Sequence, residues 1–171
     1  MCRKIVYLAI MVGMAFNLVG CSSSGKNVSS IEGLGHYSFD LLEQINTVDL
    51  EKTVQYFAST NDIKKYLSET VTGEQSKNPL YSRVENDQAD WPNYLYDSIY
   101  TLRREAAKLG IEWNKLIYLD FVVKRHQGEG PYNGELFLKY GSNVYSVIIE
   151  AIDISNKYYM TNLSGIQKVN R

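Results

Sequence analysis

At Gly110 the spacing of apolar residues changes from a helical repeat to strict alternation, and most of what this chain can fold into follows from that switch. Upstream, Leu95, Ile99, Leu102, Ala106 and Leu109 recur every three or four residues behind Asp90, Trp91 and Pro92, which predicts an amphipathic helix that Gly110 terminates. Downstream, period-two segments run over Lys115 to Arg125, Glu135 to Tyr140, Val144 to Ile152 and Lys157 to Leu163, broken by turn-forming residues. Helices therefore come first and strands last. The expected class is α+β: N-terminal helices packed on a curved C-terminal antiparallel sheet of about four strands.

Three earlier helical stretches fit this scheme. Ser38 is placed to cap a helix carrying Leu41, Leu42, Ile45 and Val48, with a break near Asn46. Asp49 or Thr47 starts a second through Leu50, Val54 and Phe57, and Ser59-Thr60-Asn61-Asp62 starts a third through Ile63, Tyr66 and Leu67. Residues 73–90 are polar and read as a long surface loop or a partly helical excursion. The segment Lys115 to Arg125 is apolar enough to be a central strand, with Tyr118 and Asp120 on one face. A hairpin is expected around Gly141-Ser142-Asn143: a two-residue loop there would place Leu136, Leu138 and Tyr140 on one face with Tyr145, Val147 and Ile149, whereas an odd loop would mix the faces.

The N-terminus reads differently. Arg3-Lys4 precedes an apolar run from Ile5 to Phe16, too short for the roughly 20 residues of a spanning helix, and Leu18-Val19-Gly20-Cys21 follows. That order is a bacterial lipoprotein export signal ending in a lipobox. The Cys21 thiol is the atom that would take the lipid, which makes the membrane itself a partner, with acyl chains as the anchor. Residues 1–20 are expected to be a signal peptide, 21–36 a lipidated flexible tether rich in Ser, Gly, Lys and Asn, and 37–171 a single α+β domain. Ser22, where an acidic residue would favour retention in the inner membrane, points to the outer membrane of a cell envelope.

Processing at Cys21 leaves 16 basic and 19 acidic residues, a net charge of −3, with no basic stripe for nucleic acid. Cys2 leaves with the signal and Cys21 is consumed by lipid, so no disulfide is available and the fold must rest on its core.

The lipobox, the segment Val48 to Phe57, the Leu109-Gly110-Ile111-Glu112-Trp113 junction and the Gly134 to Tyr140 hairpin together resemble small bacterial lipoproteins with a cystatin-like, nuclear-transport-factor-2-like domain. The resemblance implies helices packed on one face of a strongly curved antiparallel meander. It also implies a comparison with the isomerases and cyclases of that superfamily, in which a pocket carboxylate acts as base beside a hydrogen-bond donor. Here Asp120 would be the base and Tyr118 the donor.

Other candidates come from the residues alone. Tyr140, Tyr145, Tyr158 and Phe137 could line an apolar ligand site, though packing in the core accounts for them more simply. Lys124-Arg125-His126 could hold an anion, and His126 and His36 stand 90 positions apart with no metal-ligand spacing, so neither a metal nor another cofactor is expected. The acidic residues Glu74, Glu85, Asp87 and Asp90 would suit an inhibitor or immunity-type protein that blocks an enzyme through the 73–90 loop. The favoured reading is a non-catalytic domain that binds a small ligand or an envelope protein, with the isomerase-like enzyme and the inhibitor as alternatives.

Overall fold

A computed structural model describes residues 26–70, 79–84, 90–124 and 131–170. The signal segment 1–20, Cys21, His126, Glu74, Glu85 and Asp87 lie outside the described residues. The elements run α1 (Ile31–Gln44), α2 (Leu50–Val54), α3 (Thr60–Thr70), α4 (Pro79–Val84), α5 (Asp90–Lys108), a 3₁₀ turn (Trp113–Lys115), then β1 (Ile117–Lys124), β2 (Tyr132–Tyr140), β3 (Asn143–Ile154) and β4 (Lys157–Val169). The strands form one antiparallel meander in the order β1-β2-β3-β4. The α+β arrangement, helices before an open curved sheet, is as the change of period requires.

Local chemistry explains most boundaries. Asp49 caps α2 by accepting from the Glu51 N–H at 3.1 Å. Ser59 and Asp62 cap α3 reciprocally, the Ser59 N–H donating to the Asp62 carboxylate at 2.8 Å and the Asp62 N–H to the Ser59 hydroxyl at 3.2 Å. Gly110, at φ 68°, closes α5 with the Ile111 N–H on the Ala106 carbonyl and the Gly110 N–H on Ala107. The break after α1 is held from another helix, because the Arg103 guanidinium of α5 donates to the carbonyls of Ile45 and Val48.

Two boundaries differ from expectation. Helix α1 begins at Ile31, with Ser30 as its cap accepting from the Gly33 N–H at 3.0 Å, so Ser38 lies inside the helix and donates to the Leu34 carbonyl. The segment expected to be a tether up to residue 36 is thus ordered from Lys26. Val28 exchanges both backbone hydrogen bonds with Tyr158 at 3.0 and 2.9 Å, and Leu34 is 1 % exposed. Similarly, β4 continues beyond Leu163, because Gly165 takes φ 60° in a bulge and lets the strand bend instead of end. Within 73–90, the structure places α4.

The core joins Leu34, Leu41 and Leu42 of α1, Ile45 at its C-cap, and Trp91, Leu95, Ile99, Leu102 and Ala106 of α5 to Leu136, Leu138, Tyr145, Val147 and Ile149 of the sheet. Leu109, expected in the α5 stripe, is 41 % exposed beyond it. The hairpin has the two-residue Gly141-Ser142 loop, and Leu138 opposite Tyr145 and Leu136 opposite Val147 give the expected faces. Towards the end of β3 both parities become buried, Ile152 and Ile154 included, where α3 reaches the strand. Among the described residues no helix is long and apolar enough to cross a membrane.

One contact fixes α1 on the sheet. The Phe121 side chain of β1 occupies the space left by two missing side chains, Gly35 on α1 and Gly134 on β2. A Cβ at Gly35 would sit 2.5 Å from the Phe121 Cβ, and one at Gly134 would meet the far edge of the ring. Gly35→Ala cannot be relieved by a ring movement, since the clash is with atoms next to the β1 backbone, whereas Gly134→Ala can. We expect Gly35→Ala to cost about 3 kcal/mol and Gly134→Ala about 1 kcal/mol in urea unfolding; equal costs would contradict this packing.

The N-terminal approach is held by Tyr37, whose hydroxyl donates to the Tyr56 carbonyl at 3.0 Å while Lys26 lies 4.3 Å from the Tyr56 ring centre. Burial, then the neighbouring Tyr56, raises the Tyr37 ionisation far above the ordinary tyrosine value of about 10. A raised native pKa gives stability that is complete below the unfolded value and lost as pH rises above it. Tyr37→Phe should cost about 1 kcal/mol at pH 7 and flatten the fall in the urea midpoint above about pH 10.

Candidate functional site

The side of the molecule where α1 ends and β1 begins gathers most of the chemistry. Successive turns of α1 present His36 and Phe39, then Glu43, then Asn46 and Thr47 after the helix ends. Facing the last three is the chain that leaves α5. The Schellman turn at Gly110 reverses it, Ile111 and Trp113 bury at 6 % and 3 % exposure, and Glu112 and Asn114 between them stay exposed. The period-two alternation starts here, and the 3₁₀ turn sets Glu112 at the rim.

The result is a half-open cleft of about 270 Å³ lined by Glu43, Asn46, Thr47, Ile111, Glu112, Trp113 and Asn114. Two carboxylates, two amides and a hydroxyl stand over an apolar floor. Such a set can hold a small ligand group, or a partner's side chain, that carries hydroxyl or amine donors; pockets for drug-sized ligands are usually larger, about 300–1,000 Å³. Glu112 accepts from the Lys115 ammonium at 2.8 Å and from the Tyr140 hydroxyl at 3.1 Å. These bonds, Lys115 first, hold its carboxyl below the usual range, and the same contact raises Lys115. Among the lining residues there is no Ser, Cys or Lys beside a base that would make an activated nucleophile.

The expected base and donor do not come together as a catalytic pair. Strand β1 carries a bulge at Leu119, since Tyr118 pairs with Leu138 while Asp120 pairs with Phe137, the next residue of β2. The extra residue reverses the alternation. Tyr118 faces inward with Phe121, and Asp120 turns to the opposite face with Val122. Asp120 is exposed, and one of its carboxylate oxygens accepts from the Phe121 N–H at 2.9 Å. Tyr118 is half-buried, with the His36 ring stacked on it at 4.3 Å and 18° and the Phe39 ring edge-on at 5.8 Å. Its ionisation is raised by burial and, secondarily, by the charge of Asp120. Nor is β1 central: it is an edge strand with Ile117, Leu119 and Val122 at 58, 42 and 38 % exposure.

The remaining candidates separate. Tyr145 is a core residue at 4 % exposure, and Tyr140 packs its ring on the core while its hydroxyl reaches Glu112. Tyr158 meets Tyr132 edge-on at 5.8 Å near the N-terminal bridge, and Phe137 is buried outside the main core cluster. These four rings line no common ligand site. His36 is exposed, and its ring covers Tyr118.

The residues that do line the cleft escaped the sequence reading, although its two ends were visible there as a helix break at Asn46 and a junction at Gly110 to Trp113. What the sequence lacked was the α1 packing that brings the two ends together. Tyr140→Phe should raise the Glu112 pKa, because a hydrogen bond to the charged form is lost while Lys115 remains; a side-chain carboxyl NMR titration reads the shift, and an unchanged Glu112 would remove Tyr140 from the site. No protein-family model matches the chain, and no curated protein and no solved structure matches it either.

Proposed function

We propose that this protein is a lipid-anchored protein of the bacterial cell envelope, held through Cys21, whose domain recognises a small polar ligand or an envelope protein and performs no chemistry of its own. The observation that carries this reading is the order Arg3-Lys4, Ile5 to Phe16, Leu18-Val19-Gly20-Cys21, just ahead of the α+β domain described from Lys26 on. Ser22 favours the outer membrane. The space between helices and sheet is occupied by core side chains, and the polar cleft at Glu43, Glu112 and Asn114 is a recognition surface with no activated nucleophile. The order of elements also supports an affinity with the cystatin-like, nuclear-transport-factor-2-like lipoproteins at the level of architecture. An isomerase-like activity through Asp120 has less support, because its carboxylate is exposed on the face away from Tyr118.

Expression of the full chain in a bacterial host, fractionation and intact mass measurement test the anchor. The expected result is a membrane-bound species that has lost residues 1–20 and gained the mass of acyl chains. Cys21→Ala should abolish that added mass and shift the protein out of the lipid-modified pool. An unmodified Cys21 with residues 1–20 retained would overturn the reading.

A further inference from the structure

The outer edge of β1 is open among the described residues. Strand β4 has its outer edge engaged at the start by Val28, whereas β1 is paired only with β2 among the described residues. The direction of the backbone groups on β1 follows from the neighbouring hairpin. Tyr140 and Asn143 flank the two-residue loop as a hydrogen-bonded pair, so even-numbered residues of β2 bond β3 and odd-numbered ones bond β1. By register, Asp120, Val122 and Lys124 oppose Phe137, Glu135 and Asn133 and direct their backbone groups to β2. Phe121 and Val123 therefore present N–H and C=O to the open edge. The Phe121 N–H bears this out, since it takes the Asp120 carboxylate as its acceptor.

We propose that β1 of one copy pairs antiparallel with β1 of a second copy about a two-fold axis at Val122. In this register Phe121 opposes Val123 of the second copy and the reverse, giving four intermolecular backbone hydrogen bonds, while the two Val122 residues face each other as a non-hydrogen-bonded pair on the outer face. Charge selects the register. Asp120 and Lys124 lie two residues either side of Val122 on that same face, so each Asp120 opposes the Lys124 of the other copy. A centre at position 120 sets Asp120 against itself, and a centre at 124 sets Lys124 against itself. A centre at 121 or 123 makes no charge pair within 120–124. Lys124 already meets Glu135 at 2.8 Å with its side chain 65 % exposed, so it can bridge two carboxylates. Asp120 exchanges the Phe121 N–H for Lys124 when that N–H finds its intermolecular acceptor. The exposed Val122, Ile117 and Leu119 are the apolar residues nearest the junction. The Leu119 bulge ends the regular run at Asp120, and because the two-fold contact uses the same edge of both copies it closes as a pair.

The test uses the full chain solubilised in detergent. Val122→Cys is oxidised mildly and the cross-linked peptides are mapped, which separates a link between the two introduced thiols from any involving Cys2 or Cys21. Tyr100→Cys, at a site on α5 where the native ring is 62 % exposed, is the control for random encounter. We expect the link at position 122 in at least tenfold higher yield than the link at position 100. Adding Asp120→Lys should lower it at least tenfold, and adding Lys124→Glu to that variant should restore it. Equal yields at 122 and 100, a link unaffected by Asp120→Lys, or no recovery in the charge-swapped variant would each overturn self-pairing, as would a link from position 122 only to another protein. Trp91 and Trp113, both buried, report folding in every variant by fluorescence.

Discussion

The arrangement depends on one ring and two glycines. Phe121 can lie flat against β2 only because Gly134 has no side chain, and α1 can descend onto Phe121 only because Gly35 has none. Small residues continue along the same face of the helix, where the Ser38 hydroxyl reaches the Leu34 carbonyl at 2.8 Å and the Met160 sulfur at 3.4 Å. Close approach at these points sets the height of α1 above the sheet. That height brings Glu43 and Asn46 opposite Glu112 and Asn114, and it lets His36 lie on Tyr118. The cleft is therefore a by-product of core packing on the neighbouring turns, not a cavity left in the core.

The same strand shows how a single extra residue redistributes chemistry. With regular alternation, Tyr118 and Asp120 would share a face and a substrate could touch both. With Leu119 bulged out, the Tyr118 ring goes to the aromatic cluster against α1 and the Asp120 carboxylate goes to the Phe121 N–H on the outer edge. The bulge also leaves Ile117, Leu119 and Val122 exposed on a strand whose composition suits burial. Such a strand is an unusual thing for a protein to leave open, and charged residues at 120 and 124 limit what can add to it.

Much of the fold was legible because its signals are local. The α5 stripe, the Ser59–Asp62 box, the Gly110 terminator and the parity of the Gly141-Ser142 hairpin each involve residues within a few positions of one another. The misreadings share a cause as well. Gly33, Gly35, Ser29 and Ser30 look like linker by composition, yet Ser30 caps α1 and Gly35 is a contact point that only the tertiary structure explains. Ser164-Gly165 looks like a strand end and is a bend. The β1 bulge has no sequence mark at all, since Leu119 alternates as well as its neighbours. The cleft was illegible for the same reason: its walls are about 65 residues apart and meet only through α1.

The order seen as early as Lys26 has a consequence for how copies meet. Four residues lie between Cys21 and Lys26, and five steps of the chain can reach at most about 18 Å. With Cys21 lipidated as proposed, the domain is confined to a thin layer above the bilayer, so that diffusion is two-dimensional and encounters repeat. Confinement of that kind also limits the orientations in which neighbouring copies meet, since each is held to the membrane at one end.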